Sequence, residues 1–447
     1  MNIIIICLDT LRSDALGCYN TDWVQTPYID YYARKATKFT QARCGSFPTV
    51  PMRVDSYTGD VNWCRYGWKG IDPDQPKLPS ILRENGYYAG LVLDTSNNVG
   101  AGLHEYYDEY NLIKKDVDDG ITADKIAFPV PRENFRQDGR GYAGDRVRWS
   151  HYRHEEDWFV ARTMMTACKW LEDNAKRDKF FLWVDTFEIH EDWMPPNYYL
   201  KIYEKEYHGL DYTYPNYGFA DIYKPDELNH LRSCYAGEVT LTDRWVGHLL
   251  RQIEIMGLFG NTCVILLSDH GMYIGEHNLC GKHTVNQDNP WAIYDTVGKI
   301  PLLVWSPFNI PNTISALVQP ADILPTVLDL CDIDYPITLG KSWVPLLKGK
   351  ETFCHDAIYT SLYSWNGPGR IDYCQSHITV TTERWTAIFG RKPHKPELYD
   401  RLSDPDQTKD IAYSNENIIG NLRDKLVSFM QKQGADEEYI KTCALGK

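Results

Sequence analysis

A pentapeptide near the N-terminus combines a hydroxyl group, a proline and an arginine at short spacing. In residues 49–53, which read TVPMR, the hydroxyl of Thr49 precedes the guanidinium of Arg53 along the chain. A hydroxyl can attack an ester, and a guanidinium binds charged oxygens through paired donors. The intervening proline fixes φ and favours a tight turn. The pattern indicates a nucleophile for an anionic ester, although so short a motif also arises by chance and needs partners elsewhere in the chain.

Two carboxylates and an imidazole follow apolar runs that are typical of buried strands. Asp9 ends the first such run of the chain, and Asp269 with His270 ends a later one. Ligands gather at the carboxyl ends of strands in open α/β sheets, so we expect these side chains to meet near Thr49. A set of Asp and His ligands favours Zn²⁺ or Mn²⁺, while an all-oxygen set favours Mg²⁺ or Ca²⁺. We predict one divalent metal ion, bound by Asp9, Asp269, His270 and the Thr49 oxygen.

Each of these motifs also has a purely structural interpretation. Asp9 alone could cap the helix that follows it. Asp269 and His270 with the glycine after them could form an ordinary turn at the end of a strand. The metal site is favoured because all of these motifs occur together at predicted strand ends.

Four further side chains are candidates for substrate binding and proton transfer. They are His190, which follows another apolar run, and His277, Lys282 and His283, which lie downstream of the second carboxylate. We expect Lys282 and Arg53 to bind the non-bridging oxygens of the ester. The three histidines are candidates for protonating the leaving group and assisting the attack of water. Taken singly, Lys282 and His190 are more often surface residues than catalytic ones, and His277 and His283 fit either interpretation equally.

The elements that must position these residues alternate in type along the chain. Continuous apolar runs predict strands buried on both faces, and helical periodicity marks the segments between them. The predicted strands are residues 2–8, 88–93, 180–185, 263–267 and 300–305, and the predicted helices are residues 26–39, 78–86, 157–177, 225–257 and 321–331. This alternation predicts an α/β fold with a large, mostly parallel central sheet covered by helices on both faces. Glu238 and Asp243 are expected on the solvated face of their helix.

The pattern changes at two places along the chain. Residues 97–157 are polar and lack periodicity, which indicates an inserted wall of the substrate site within a catalytic domain over residues 1–350. Residues 351–447 are predicted to form a small C-terminal α+β subdomain. Its antiparallel strands and closing amphipathic helix are predicted at residues 357–362, 377–382, 385–390 and 415–433.

The composition excludes several classes of protein. A net charge of −14 over 447 residues argues against binding to the backbone of nucleic acids. The chain has 43% hydrophobic and 24% charged residues, which is typical of a globular protein with a sizeable core. Twelve cysteines without a C-x-x-C pair favour a reducing compartment. With no apparent signal peptide or membrane span, we predict a cytoplasmic protein that does not bind membranes and that can form a homo-oligomer.

Several segments occur in the order that is found in one enzyme superfamily. They read LDTLRSDALGCY, TVPMRVDSYTG, ENGYYAG, FFLWVDTFEIHEDW, SDHGMYIGEHNLCGKH, PADILPTVLDL and PELYDRLSDP. This ordered set resembles the sulfatase-like branch of the alkaline phosphatase superfamily over nearly the whole chain. The resemblance implies a metal-dependent hydrolase in which Asp9, Thr49, Asp269 and His270 bind a single metal ion, as in the phosphorus branches of the superfamily.

The chain departs from the sulfatase pattern at three positions. Sulfatases of this family use a cysteine or serine that is matured to formylglycine, whereas this chain has Thr49, which resembles the nucleophile of phosphodiesterases and phosphonoacetate hydrolases. The usual second metal-binding Asp is Thr10, and residues 93–96, LDTS, replace a G-K-W-H segment that binds sulfate. Asp94 in that segment would repel a dianion more strongly than a monoanionic diester.

These departures lead to a prediction about the substrate. A formylglycine hydrate expels sulfate by C–O cleavage, an exit that a sulfated threonine lacks, whereas water can open a phosphothreonine at phosphorus. We predict hydrolysis of phosphodiesters or phosphonate monoesters, small anionic esters that can be linked to a sugar. The first alternative is a sulfatase that acts without formylglycine. The second is an inactive relative that binds a glycan or an anion, for which 31 Tyr and 14 Trp offer stacking surfaces.

Overall fold

The computed structural model describes most of the chain. The described residues are 1–65, 67–114, 149–210, 214–283, 291–308, 310–362 and 377–446, with the short strands 365–367 and 370–372 and some isolated positions between these ranges. Much of the predicted wall over residues 97–157 lies outside them. The boundaries predicted for the domains therefore stay predictions.

Eighteen strands are described in this structure. In chain order they are β1 Asn2–Leu8, β2 Thr37–Ala42, β3 Ser46–Phe47, β4 Tyr88–Leu93, β5 Glu109–Leu112, β6 Phe180–Thr186, β7 Gly218–Phe219, β8 Thr262–Ser268, β9 Tyr273–Ile274, β10 Leu279–Gly281, β11 Leu302–Trp305, β12 Asn312–Val318, β13 Ile358–Leu362, β14 Trp365–Gly367, β15 Arg370–Asp372, β16 Ile378–Thr381, β17 Trp385–Phe389 and β18 Glu397–Asp400.

The described α-helices cover the sheet and connect its strands. In chain order they are α1 Pro27–Ala33, α2 Thr49–Thr58, α3 Leu78–Glu84, α4 Ser96–Gly100, α5 Phe159–Asn174, α6 Asn197–Tyr203, α7 Pro225–Ile255, α8 Asp295–Gly298, α9 Ile323–Leu330, α10 Val344–Leu347, α11 Glu416–Lys432 and α12 Glu437–Tyr439. No helix in the described ranges is long and apolar enough to cross a membrane.

The largest sheet has eight strands in the order β12-β2-β11-β8-β1-β6-β4-β5. Strand β1 pairs in parallel with β6 and β8, and only β11 runs antiparallel to its neighbours. All seven residues of β1 are buried, because both faces of the sheet are covered. The predicted α/β class with a mostly parallel central sheet is thus confirmed.

The sequence prediction was wrong at two places in this layer. The helix predicted over residues 26–39 ends at Ala33, and residues 37–42 form β2 inside the sheet. Phe39 in β2 is fully buried, so tertiary pairing outweighs the local helical periodicity. Glu238 and Asp243 are buried rather than solvated. Asp243 accepts hydrogen bonds from the first turn of α1, and Glu238 accepts one from a loop amide.

The C-terminal part forms a second sheet of strands β18-β17-β16-β13-β3. Strands β13, β16 and β17 lie where antiparallel strands were predicted and pair in that way. Strand β18, which was not predicted, adds to them in antiparallel orientation, and β3 joins this sheet from the segment just before Thr49. Trp63 is fully buried in the same hydrophobic cluster as α11. The N-terminal region and the C-terminal sheet therefore share a core.

The cysteines differ in part from the expectation of free thiols. The structure has free cysteines at ten described positions, most of them buried in the core. Cys443, near the C-terminal end, is disulfide-bonded. A disulfide is unusual for a reducing compartment, so the cysteines give no uniform indication of where the protein resides.

Candidate active site

The sheet brings the predicted metal ligands together at one edge. Strands β1 and β8 are parallel neighbours in which Leu8 lies opposite Ser268, so the next residues, Asp9 and Asp269, leave adjacent strand ends. Ligand atoms of Asp9, Asp269 and His270 lie within 4.8 Å of one another, and all three side chains are fully buried. Three of the four predicted ligands therefore lie together in the fold.

The polar contacts of this cluster leave two acceptors without a donor. His270 Nε2 lies 3.8 Å from Asp9 Oδ1 and 3.6 Å from Asp269 Oδ2. Asp9 Oδ2 and His270 Nε2 are buried and receive no hydrogen bond from the described residues. His270 Nδ1 is bound to the Gly271 carbonyl, which fixes the ring and turns Nε2 toward the carboxylates. Buried acceptors without donors are costly, and a cation would satisfy them.

The protonation preferences of the cluster agree with a cation site. Burial lowers the pKa of His270 to about 4, so its imidazole is neutral near pH 7 and can act as a ligand. Burial, together with the charge of Asp269, raises the pKa of Asp9 well above its ordinary value. A divalent ion would favour the ionised carboxylate instead. Two carboxylates and a neutral imidazole therefore fit a divalent metal ion.

Arg53 is a buried linker among the carboxylates of the site. Its Nε and Nη2 donate to the two oxygens of Asp185 at 3.0 and 2.7 Å, and Nη1 donates to Asp269. The same Nη1 donates to the Thr49 carbonyl at 3.1 Å and lies 3.7 Å from Asp9 Oδ2. Arg53 thus fixes carboxylates and the Thr49 backbone. Its donors are engaged by protein groups rather than directed at a free ester oxygen.

Thr49 is the first residue of helix α2, in which every residue is buried. The segment before the helix is held by Asp55, whose carboxylate accepts hydrogen bonds from the amide and the hydroxyl of Ser46 at 2.7 and 2.8 Å. Asn62 donates to the same carboxylate. Asp55 thus connects the segment before the helix to the segment after it, and this holds the start of α2 in place.

Lys282 approaches the same cluster through Thr10, the residue that replaces a second aspartate. Lys282 Nζ donates to Thr10 Oγ1 at 3.3 Å, and that hydroxyl donates to Asp9 Oδ1 at 2.7 Å. Thr10 has φ of 62°, a left-handed conformation that is rare for a β-branched residue. This conformation directs its amide to Asp269 Oδ1 at 3.0 Å. The strained backbone of Thr10 thus supplies a hydrogen bond to one of the predicted metal ligands.

His190 lies on the other side of Lys282 and shares a carboxylate with it. His190 Nδ1 is 3.3 Å from Glu191 Oε2, and Lys282 Nζ is 3.7 Å from the same oxygen. The His190 ring stacks on Phe187 with centroids 4.0 Å apart. His190 also lines a cavity of 390 Å³ that has Asp94 at its edge. The histidine therefore links the buried cluster to a space that can hold a leaving group.

The two remaining histidines lie in different surroundings. The ring of Phe47 is 4.9 Å from that of His270 and 6.3 Å from that of His283, so His283 lies close to the segment before Thr49. His277 instead stacks on Tyr294 at 3.7 Å and lines a separate cavity. Of the predicted catalytic residues, His277 is the one that lines this separate cavity.

Two acidic residues of the site were missed in the sequence. Asp185 binds Arg53 and is the penultimate residue of β6, so its position near the carboxyl end of an apolar run was a usable signal. Glu191 contacts both Lys282 and His190, but only its place beside His190 could have indicated this.

Asp94 accepts hydrogen bonds from the hydroxyls of Thr163 and Thr186, and burial raises its pKa to about 6.

Comparisons with known proteins agree with this geometry. The sulfatase family model matches residues 1–333, and a model of the C-terminal region of N-sulphoglucosamine sulphohydrolase matches residues 281–433. The chain is 24% identical to arylsulfatase K of Bos taurus over 469 aligned positions, which cover 96% of this chain and 81% of the relative. It is 23% identical to an N-acetylglucosamine-6-O-sulfatase of Bacteroides thetaiotaomicron, covering 92% of this chain and 82% of that one.

A solved structure has the same fold. The crystal structure of the phosphonate monoester hydrolase of Agrobacterium radiobacter superposes with a TM-score of 0.76 at 18% identity, covering 97% of this chain and 95% of that one. Since the family model matches well over half of the 447 residues, this chain belongs to the sulfatase family, within the alkaline phosphatase superfamily.

Proposed function

We propose that this chain is a metal-dependent hydrolase of sulfate esters, and that its substrates are sulfated sugars. The observation that carries the proposal is the pair of buried acceptors, Asp9 Oδ2 and His270 Nε2, left without donors beside Lys282. The substrate class is supported by relatives that cover most of the chain and are named as sulfatases, one of them specific for a sugar. This choice differs from the phosphorus substrates that the sequence favoured.

We propose that Asp9, Asp269 and His270 bind the divalent ion together with the Thr49 oxygen, with Mn²⁺ or Zn²⁺ preferred to Mg²⁺ or Ca²⁺. When bound, the ion neutralises charge on the ester and favours an ionised hydroxyl. Thr49 Oγ1 attacks sulfur, and the bond from sulfur to the leaving oxygen breaks. Lys282 is placed to bind a non-bridging oxygen, because it is the one cation of the cluster that the carboxylates do not fully engage.

Proton transfer is assigned to the two histidines on the substrate side. His190, at the edge of the cavity, donates a proton to the departing alcohol. His283 then removes a proton from the water that attacks sulfur, and the bond from sulfur to Thr49 Oγ1 breaks as sulfate leaves. The proton passes from His283 to Thr49 Oγ1, which restores the hydroxyl. Arg53 acts as a positioning residue in this scheme, because its nitrogens bind Asp185, Asp269 and the Thr49 carbonyl.

A second candidate function is the hydrolysis of phosphodiesters or phosphonate monoesters. Two observations favour it: the threonine at the nucleophile position, and the similarity in fold to a phosphonate monoester hydrolase. The buried carboxyl group of Asp94 beside the cavity also disfavours a second negative charge on the substrate. The same residues would act in the same order on phosphorus.

The test is steady-state hydrolysis of p-nitrophenyl sulfate, a p-nitrophenyl phosphonate monoester and a p-nitrophenyl phosphodiester with Mn²⁺ or Zn²⁺. We expect the sulfate to be the preferred substrate and Thr49→Ala to reduce kcat by at least about a thousandfold, as removal of a nucleophile does. Thr49→Ser, which keeps a hydroxyl, should retain turnover. Thr313→Ala, at an exposed threonine of β12, is the matched control and should behave as wild type.

The outcomes separate the candidate functions. Preference for a phosphorus substrate, lost in Thr49→Ala, would replace the sulfate proposal with the second candidate. Turnover that survives Thr49→Ala would contradict the nucleophile assignment. Stoichiometric metal binding without turnover of any of the three substrates or of a sulfated monosaccharide would favour an inactive relative that binds glycans or anions.

The cytoplasmic location predicted from the sequence also stays a proposal. Ten described free cysteines agree with a reducing compartment, and the disulfide at Cys443 does not. Fractionation of the producing cells, with antibody detection of the native chain, tests the location directly. Recovery of the chain outside the cytoplasmic fraction would contradict it.

A further inference from the structure

The turn that follows β1 carries one predicted metal ligand and contacts another. Asp9 is the first residue of this turn, and the Thr10 amide donates to Asp269 Oδ1 at 3.0 Å. The Thr10 hydroxyl donates to Asp9 Oδ1 at 2.7 Å. Thr10 makes both contacts in a left-handed conformation, with φ of 62°. A change in this conformation would therefore disturb both carboxylates.

Neighbouring strand ends hold several backbone groups of the turn. The Asp9 amide donates to the Thr186 carbonyl at 3.0 Å, and the Asp9 carbonyl accepts the Ile189 amide at 3.1 Å. The Leu11 amide donates to Ser268 Oγ at 3.0 Å. The turn is thus joined to the carboxyl ends of β6 and β8, the strands on either side of β1.

Two further backbone groups of the turn share one partner on helix α7. The Tyr235 hydroxyl donates to the Thr10 carbonyl at 3.0 Å and accepts the Arg12 amide at 2.9 Å. Within the described part of the chain, neither group has another hydrogen bond. Both residues are buried, and buried backbone groups are nearly always paired. Loss of this hydroxyl would leave a carbonyl and an amide without partners.

The packing around Tyr235 fixes the position of its hydroxyl. The side chain is fully buried, with the Trp23 ring stacked at 6.0 Å and the Trp193 ring nearly perpendicular at 5.3 Å. The Trp193 indole donates to the Ile189 carbonyl at 2.9 Å. Tyr235 therefore reaches the turn from a separate element, the 31-residue helix α7, through a well-packed aromatic group.

The contacts of Tyr235 bear directly on the dihedral angles of Thr10. These angles lie between two peptide units, of which the first donates to Asp269 and the second has its carbonyl bound by Tyr235. When both units are fixed, φ and ψ of Thr10 are determined. A left-handed conformation at a β-branched residue persists only where surrounding contacts impose it, and Tyr235 supplies one of them.

We propose that Tyr235 is a positioning residue for the divalent ion. Its hydroxyl holds Thr10 in the left-handed conformation, and the turn in this conformation orients Asp9 and Asp269 for the ion. Within the described contacts the hydroxyl binds neither carboxylate, so Tyr235 acts through the backbone of the turn. This role rests on the proposed metal site and adds a residue of α7 to it.

The first measurement is the affinity of the metal-free, full-length protein for Mn²⁺, by isothermal titration of wild type and Tyr235→Phe. The variant keeps the aromatic ring and all predicted metal ligands, and it loses only the hydroxyl. Loss of a group that orients a metal ligand typically weakens metal binding by about 10- to 100-fold. We expect Kd to rise by at least about tenfold, with the stoichiometry unchanged.

The matched control is Tyr19→Phe. The Tyr19 hydroxyl also joins two backbone groups, because it accepts the Leu302 amide at 2.7 Å and donates to the Phe39 carbonyl at 3.0 Å. These groups belong to β11 and β2 rather than to the turn after β1. Tyr19→Phe should lower Tm and keep the wild-type Kd for Mn²⁺. A wild-type Kd in Tyr235→Phe, or an equal rise of Kd in both variants, would overturn the proposal.

A double-mutant cycle tests whether Tyr235 acts through Thr10. Thr10→Ser keeps the hydroxyl that contacts Asp9, but it removes the branched methyl group that makes the left-handed conformation unfavourable. Tyr235→Phe should therefore raise Kd less in the Thr10→Ser background than in wild type. An equal rise in both backgrounds would contradict an action through the Thr10 backbone.

Hydrogen exchange of the metal-free protein separates this role from the proposed function. The peptide that contains residues 9–12 should exchange faster in Tyr235→Phe than in wild type or Tyr19→Phe, because the Arg12 amide loses its acceptor. Unchanged exchange would overturn the role of Tyr235 even in a protein that binds Mn²⁺. Faster exchange in a protein that binds neither Mn²⁺ nor Zn²⁺ would instead overturn the metal site, on which the positioning role depends.

Discussion

The buried carboxylates of the active site differ in how their negative charge is compensated by neighbouring donors. Asp185 is bound by two nitrogens of Arg53 and by Asn98, so its charge is matched within the protein. Asp9 retains an oxygen without a donor, next to the equally unsatisfied His270 Nε2. This difference distinguishes a carboxylate that positions the site from one that is available to a metal ion.

Asp9→Asn should abolish the stabilisation that a metal ion provides. A ligand that binds only the folded state stabilises it. At a ligand concentration of about one hundred times the Kd, the free energy of unfolding rises by about 2.7 kcal/mol. We expect Mn²⁺ or Zn²⁺ to raise Tm of wild type and to leave Tm of Asp9→Asn unchanged, as measured by differential scanning fluorimetry with metal analysis.

The matched control is a substitution in a second buried cluster, which consists of Asp322, Cys354 and His355. It has the composition of a metal site, but the Asp322 carboxylate already accepts hydrogen bonds from His355, Trp343 and two backbone amides. His355→Gln should therefore leave the metal response intact. An equal metal response in wild type and Asp9→Asn would show that the ion binds elsewhere.

Arg53→Lys should destabilise the protein strongly, although it keeps the positive charge. A lysine cannot replace the paired contact to Asp185 together with the contacts to Asp269 and the Thr49 carbonyl. Breaking a buried ion pair costs about 3–5 kcal/mol of unfolding free energy, which urea denaturation can measure. Arg244→Lys, at an ion pair with Glu155 in which the arginine side chain is 53% exposed, should cost no more than about 1 kcal/mol. Similar losses in both variants would contradict the linking role of Arg53.

At the scale of elements, the position of Thr49 depends on the short β3 and on the start of α2. Strand β3 pairs with β13 of the C-terminal sheet, with Ser46 opposite Ser361 and Phe47 opposite Leu362. Asp55, one turn and a half into α2, bonds back to Ser46. Thr49 is thus held from both sides by contacts that lie outside the cluster of Asp9, Asp269 and His270.

Asp55 should make stability fall as pH rises from about 4 to about 7. Burial raises its pKa from 3.8 to about 7, so the folded state holds this proton over a range where the unfolded chain has lost it. The contribution is fully present below the unfolded pKa and is lost as pH rises through 7. This difference of about three pKa units between the unfolded and folded states corresponds to at most about 4 kcal/mol of unfolding free energy.

The measurement is the free energy of unfolding of wild type and Asp55→Asn between pH 4 and pH 8. The amide does not titrate, so the variant should lack the part of the slope that Asp55 provides, whatever its absolute stability. Thr58→Ser, in the same helix, should keep the wild-type slope. Parallel pH profiles for wild type and Asp55→Asn would show that Asp55 does not retain its proton in the folded state.

At the scale of the whole molecule, the two sheets share residues and should unfold together. Val61 and Trp63, from the N-terminal region, lie in the hydrophobic cluster that contains the C-terminal strands and α11. The Trp63 indole also donates to the Tyr359 carbonyl at 3.0 Å. We therefore expect one cooperative unfolding transition rather than two.

Trp63→Ala should destabilise both parts of the molecule at once. Removal of a large buried aromatic side chain costs about 3–5 kcal/mol. Hydrogen exchange should show that protection decreases in α11 and in the large sheet by a similar factor, and urea unfolding should remain a single transition. Tyr413→Ala, at a side chain that is 94% exposed, is the control and should change little. A loss of protection limited to α11 would indicate that the C-terminal region unfolds independently.

The sequence by itself determined the parts of this protein that depend on local pattern. Apolar runs without alternation indicated strands buried on both faces, and polar residues directly after them were expected at the carboxyl edge of a mostly parallel sheet. That argument found Asp9, Asp269 and His270, and the ordered motifs identified the family. It was insufficient for residues 37–42, where pairing with two neighbouring strands outweighed helical periodicity.

Only the tertiary structure decided which charges compensate one another. From the sequence, Arg53 was expected to bind the anionic substrate. In the fold, its guanidinium binds Asp185, which comes from a strand distant in the chain. Glu191 joins Lys282 to His190, and His277 is directed to a different cavity from the other histidines. Contacts between residues far apart in the chain depend on how strands are ordered and how loops return, which local periodicity does not encode.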